Sequence, residues 1–279
     1  MKKVITAFRI ETFEKHLCED EKSRATVEKY MRDLRAFQAY VGAGEVDKQT
    51  VLAYKELLGE RYAVASANSM LAAINRFFRF CEWFALCVKP FRMQKRAFCA
   101  AERELTKEEY RRLVRAAEQK KNERLALVIE TICGTGIRVG ELSFITVEAA
   151  RCGQATVSCK GKARAVFLIP ALRQKLLRYA KKRRIASGAI FVSRAGKPLD
   201  RCNIWKEMKR LCAQAGVAPE KVFPHNLRHL FARTFYAMEK DIAKLADILG
   251  HSSINTTRIY IITTGEEHRR RMEHMHLIL

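Results

Sequence analysis

The sequence predicts a mainly α-helical protein with a small β-hairpin (an α+β chain), built as an N-terminal helical bundle and a larger mixed α/β domain. Three observations lead there. Apolar residues recur at helical spacing through most of the chain, which is the pattern of helices with one buried face. The stretch QATVSCKGKARAVFLIP alternates β-forming residues around a Lys-Gly-Lys tip, the pattern of a hairpin. Residues 88–103, VKPFRMQKRAFCAAER, hold Pro90 and five basic residues without sustained periodicity, and so read as a linker between domains at 1–87 and 104–279.

In order along the chain, TAFRIETFEKHLC, TVEKYMRDLRAFQAYV, VDKQTVLAYKELLG and SANSMLAAINRFFRFCEWFA each carry a helical apolar stripe. Gly42 and Gly44 end the second, Asp47 caps the third and Gly59 closes it, as caps and stops are expected to do. Thr106 and Glu109 stand at capping-box spacing before YRRLVRAA, where hydroxyl and carboxylate satisfy free amides of the first turn. A domain start is expected there. The hairpin follows, AIFVS is a further short strand candidate, and the remainder from 104 onward reads as helical. The tail TGEEHRRRMEHMHLIL predicts a short helix over about 266–279 with apolar contacts at Met272, Met275, Leu277, Ile278 and Leu279.

The chain has 279 residues with 53 Lys plus Arg against 30 Asp plus Glu, a formal charge of +23, and 48% apolar residues. That apolar share supplies a core and excludes wholesale disorder. No apolar run approaches the roughly 18 residues of a membrane span, and the opening MKKVITAFRIETFEKH loses its apolarity too early for a signal peptide, so a soluble cytoplasmic protein is expected. Nine cysteines, an odd number without a CxxC pair, fit small apolar residues in a reducing compartment better than a disulfide framework or zinc site. Residues 151–210 alone hold 17 basic and 2 acidic side chains, including Lys181, Lys182, Arg183 and Arg184. Such density calls for a polyanionic partner, because neutralising phosphates releases condensed counterions. Nucleic acid is the expected one.

Four segments hold candidate chemistry: TGIRVGEL (135–142), SCKGKAR (158–164), PHNLRH (224–229) and LGHSSINTTRIY (249–260). In this order and spacing they resemble the signature of the tyrosine recombinases, the lambda-integrase family. The resemblance extends to the plan of the chain, and implies a SAM-like, core-binding helical bundle before the catalytic domain. Position by position it puts the first arginine at Arg138, its supporting acid at Glu141, the hairpin lysine at Lys160, the His-x-x-Arg pair at His225 and Arg228, the following histidine at His251 and the nucleophile at Tyr260. Lys162 and Arg164 rival Lys160 on position alone. Asn226 stands where the motif commonly has an acidic residue.

These residue types suit attack on a phosphodiester. Its transition state carries extra negative charge on non-bridging oxygens, which fixed cations stabilise, and guanidiniums stay charged and offer forked donors matched to phosphate. Arg138 and Arg228 fit that role, with Glu141 one helical turn from Arg138 to hold it or to help position a histidine. A tyrosine phenol can form a covalent phosphotyrosine, Lys160 can protonate the departing 5′-oxygen or contact the phosphate backbone, His225 can act as general acid or base or donate to a phosphate, and His251 can donate to a non-bridging oxygen. His225 and His229 stand four apart, but HNLRH lacks the glutamate of HExxH and places an arginine between them, so no metal is expected. No cofactor is expected either.

The resemblance further implies double-stranded recombination sites as substrate, a homotetramer on DNA that exchanges its C-terminal helix between protomers, strand exchange through a Holliday junction, and in some systems accessory DNA-bending or directionality proteins. A mobile-element integrase is the expected role. A chromosome-dimer or inversion recombinase, a type IB topoisomerase and a non-catalytic DNA-binding regulator are the alternatives. Arg76 and Arg79 are the expected DNA contacts of the bundle.

Overall fold

The first four helices are α1 (Ala7–Glu19), α2 (Arg24–Val41), α3 (Lys48–Arg61) and α4 (Val64–Phe80). Three start on capping side chains, where Thr6, Ser23 and Asp47 accept from the main-chain N–H groups of Arg9, Thr26 and Thr50, supplying acceptors to amides that lack helical partners. Gly42, at φ +69°, ends α2. The apolar stripes meet in a core that includes Phe13, Leu17, Leu34, Phe37, Leu71 and Phe77, with the Phe13 and Phe77 rings edge to face at 5.3 Å. This computed structural model describes residues 3–92, 104–159, 162–193, 195–260 and 273–274, and its chain divides into two compact units, Met1–Lys95 and Arg96–Leu279.

One expectation for the first unit needs correction. Gly59 does not close α3, which runs on to Arg61; a Cβ at Gly59 would lie 2.9 Å from the Phe91 ring, so the glycine makes room for an aromatic side chain. The beginning of the expected linker is part of the unit. Asn75 bonds both the N–H and the carbonyl of Val88, and Asn68 does the same for Phe91, so two amide side chains pair the chain after α4 as a neighbouring strand would. Of the two expected DNA contacts, Arg76 is paired with Asp20 of α1 in the protein alone and Arg79 is exposed.

In the second unit Thr106 and Glu109 form the expected capping box at the start of α5 (Lys107–Gln119). Next come α6 (Glu123–Thr135), a 3-10 turn over Val139–Phe144, and α7 (Val147–Cys152). Strands β1 (Gln154–Cys159) and β2 (Lys162–Phe167) pair antiparallel with Gln154 opposite Phe167 and Cys159 opposite Lys162. Ala155, Val157 and Val166 are buried from the hairpin. The chain continues through α8 (Pro170–Lys182), α9 (Arg201–Lys209), α10 (Cys212–Ala215), α11 (Pro224–Glu239), α12 (Ile242–Leu249) and α13 (Ile254–Arg258).

Helix α6 runs through the middle of this core, with Leu125 to Ile129 and Ile132 all buried. Its two buried hydroxyls, Thr131 and Thr135, donate to carbonyls one turn back at 2.7 and 2.6 Å, which satisfies them inside an apolar surround. The expected strand AIFVS is reduced to isolated bridges, Thr146 with Ala189 and Val192 with Pro198. Its partners are the cap of α7 and the segment's own return, neither of which offers an extended edge.

Part of the basic density on α8 is neutralised within the protein: Lys175 pairs with Glu130 at 2.5 Å and Lys182 with Glu123 at 2.6 Å. Among the described residues no helix is long and apolar enough to cross a membrane. The expected C-terminal helix over about 266–279 lies outside the described residues, except for 273–274.

Candidate active site

Helix α11 begins with Pro224 at its first turn, where a missing N–H costs nothing. His225, Arg228 and His229 follow at three- and four-residue spacing, which puts them on one face. Arg228 is only 1% exposed. Its Nη1 donates to the Gly136 carbonyl at 2.5 Å, and its Nη2 donates to the Leu249 carbonyl at 2.8 Å and to His251 Nε2 at 2.9 Å. Gly136 caps the end of α6 and Leu249 is the last residue of α12, so the guanidinium sits where two helices present unpaired carbonyls and partial negative charge. Its Nε is buried without a hydrogen-bond partner. Burial, then the nearby Arg138, lower its pKa to about 10, against a supporting contact from Tyr260; it remains a cation at neutral pH.

Glu141 gathers two more arginines. The Arg138 main-chain N–H donates to Oε2 at 2.9 Å and its Nη1 to Oε1 at 3.0 Å. Arg164 of β2 donates from Nη1 to Oε1 at 3.1 Å and from Nη2 to Oε2 at 2.8 Å, the bidentate fork that carboxylates favour. Burial alone would raise the Glu141 carboxyl, but the bonds from Arg164 and Arg138 outweigh it and hold the pKa at about 2. Arg138 keeps 41% of its side chain exposed while Glu141 keeps 6%. The buried carboxylate thus orients a cation that still faces solvent.

Tyr260 follows α13 and is 5% exposed. Its hydroxyl lies 3.3 Å from His225 Nε2. Its ring lies 4.2 Å from the His229 ring and stacks at 5.4 Å on that of His251. Burial first, and neighbouring charged groups second, push His225 below its ordinary value and bring His229 and His251 to about 4. The three imidazoles are therefore neutral at pH 7, and a neutral His225 has a lone pair to take the phenolic proton.

Of the predicted site residues, the structure brings His225, Arg228, His251 and Tyr260 into one cluster and links Arg138 to Glu141. Lys160 lies outside the described residues. Arg164, weighed on position alone as a rival to Lys160, is committed to Glu141 and is no proton donor. In the free protein His251 Nε2 faces Arg228 Nη2 at 2.9 Å, and because a guanidinium has only donors, here it accepts. Sequence reading passed over Thr257, whose Oγ1 lies 2.8 Å from His251 Nδ1; the six-residue spacing is its sole signal. Among the described residues no group of three or more His, Cys, Asp or Glu side chains is arranged to hold a metal ion.

The helical fold with its small hairpin, and a buried cluster of arginine, histidine and tyrosine, define a tyrosine site-specific recombinase, an enzyme class that breaks and rejoins DNA. The family model described as the phage integrase family matches residues 103–267, and that of the phage integrase N-terminal SAM-like domain matches 10–83; the chain belongs to the phage integrase family. It is 30% identical to tyrosine recombinase XerA of Thermococcus onnurineus, over 96% of this chain and 95% of the relative. Against XerD of Halalkalibacterium halodurans the identity is 28%, over 91% and 92%. A lambda integrase tetramer bound to a Holliday junction has the same fold, with TM-score 0.73 and 19% identity over 93% of this chain and 77% of that one.

Proposed function

We propose that this enzyme exchanges DNA strands through a 3′-phosphotyrosine on Tyr260 and a Holliday junction, as the recombinase of a mobile genetic element. The carrying observation is the Tyr260 hydroxyl held 3.3 Å from His225 Nε2 beside the buried Arg228. A scissile phosphate would take donors from Arg138 and from the unpartnered Nε–H of Arg228. The phenolic oxygen then forms a bond to phosphorus as the bond to the 5′-oxygen breaks; His225 takes the phenolic proton and Lys160 gives one to the leaving oxygen. Because one phosphodiester is exchanged for another, the linkage energy is kept, and the released 5′-hydroxyl of a second strand reverses the step without ATP or metal.

Assembly as a homotetramer on paired double-stranded sites, with exchange of the C-terminal helix, belongs to this proposal and is supported by the fold shared with the lambda integrase tetramer. Accessory DNA-bending or directionality proteins would act on that assembly. The mobile-element role rests on the resemblance to integrases. A second reading, a chromosome-dimer recombinase with the same chemistry, is favoured by the nearly end-to-end alignment with XerA and XerD relatives.

The test is a duplex from the DNA flanking the gene, nicked beside the cleavage position so that the adduct is trapped. A covalent complex lost in Tyr260→Phe supports the mechanism; no complex, or one that survives the substitution, overturns it. Junctions formed between two duplexes exclude a topoisomerase, and attachment-site repeats around the gene separate the mobile-element role from dimer resolution.

A further inference from the structure

We infer that Thr257 is a positioning residue whose hydroxyl lets His251 exchange ring tautomers, so that the nitrogen accepting from Arg228 in the free enzyme becomes a donor to the scissile phosphate. The inference rests on the proposed function and adds to it a residue that the predicted site omits.

The argument is one of donors and acceptors. Arg228 Nη2 lies 2.9 Å from His251 Nε2, and a guanidinium has no acceptor, so Nε2 carries the lone pair. In a neutral imidazole the proton then sits on Nδ1, where Thr257 Oγ1 receives it at 2.8 Å. Thr257 is fully buried. A phosphate oxygen reverses the demand, since it accepts and Nε2 must donate. Burial first, and then the cations Arg228, Arg138 and Arg164 around the ring, disfavour the doubly protonated form, so Nε2 takes up one proton from water as Nδ1 gives one up. The bare Nδ1 then needs a donor. A backbone carbonyl at this place would hold the first tautomer permanently; a hydroxyl turns about its C–O bond and donates. Arg228 Nη2, released from Nε2, gains an N–H for the same phosphate.

The main chain of Thr257 contributes separately, since its carbonyl accepts from the Tyr260 N–H at 3.0 Å. Thr257→Val keeps that bond and the side-chain shape and removes only the hydroxyl, whereas Thr257→Ser keeps the hydroxyl. In the full-length 15N-labelled protein without DNA, the His251 ring should show its proton on Nδ1. On the nicked duplex, Thr257→Val should form the Tyr260 adduct ~10²-fold more slowly, the loss typical of one transition-state donor, while Thr257→Ser stays within about 3-fold of the parent. A Thr257→Val protein that cleaves at the parent rate overturns the inference, as does a serine variant as slow as the valine one, or a proton on Nε2 in the free protein. Should valine prevent folding, the serine variant and the ring tautomer of the parent decide. Failure of the parent itself to form any adduct overturns the proposed function instead.

Discussion

Arg164 passes Gly250 so closely that a Cβ on the glycine would stand 2.6 Å from the arginine's Cδ. Gly250 caps α12 at φ +66°, a left-handed conformation that also disfavours side chains. The arginine's far end forks onto Glu141, which holds Arg138. One glycine therefore lets the hairpin strand, the turn before His251 and the Arg138 segment close on one another.

Gly250→Ala should consequently lose stability by about 2 kcal/mol, combining strain at positive φ with a displaced arginine. Thermal unfolding should shift down by roughly 4–8 °C. Cleavage of a nicked duplex, measured below that transition, should fall further than in a surface variant of equal stability.

Glu141 makes the fold sensitive to acid. Its carboxyl titrates at about 2 when folded and near the ordinary value of about 4.3 when unfolded. The resulting stabilisation is present above the unfolded value and disappears as the pH falls from about 4.5 to 2. Its size is about 3 kcal/mol. The free energy of unfolding from urea titrations should rise with pH across that range in the parent and rise less in Glu141→Gln, which has no carboxyl to titrate at that position.

The two arginines should respond differently to lysine. Arg228 serves two carbonyls and an imidazole from a buried fork, which an ammonium cannot reproduce. Arg228→Lys should cost about 3 kcal/mol in unfolding and ~10²- to 10³-fold in cleavage. Arg138, whose side chain is 41% exposed, should leave the Tm within about 2 °C on substitution by lysine while cleavage falls ~10²-fold. Calorimetry beside single-turnover cleavage separates the two.

His229 is neutral and lies against the Tyr260 ring at 4.2 Å, so shape should matter more than its nitrogens. His229→Phe should keep adduct formation within about 3-fold, and His229→Ala, which removes the packed face, should lower it about 10-fold.

Much of this protein can be read locally. The capping box of Thr106 and Glu109 acts across three residues, helical stripes repeat within a turn or two, and the β-formers either side of the Lys-Gly-Lys tip identify their own hairpin partner. The spaced segments around Arg138, Arg228 and Tyr260 also identify a family, and so a candidate site. What the sequence determined by itself was therefore the class of fold, the starts at Asp47 and Thr106, and a set of candidate residues for the chemistry. Tertiary structure alone decided that Gly59 yields to Phe91, that Arg76 pairs with Asp20, that Arg164 holds Glu141 and that Thr257 meets His251. The reason is physical: caps and periodic faces are set by neighbours along the chain, whereas a side chain's partner is set by which distant groups the packed core brings within hydrogen-bond reach.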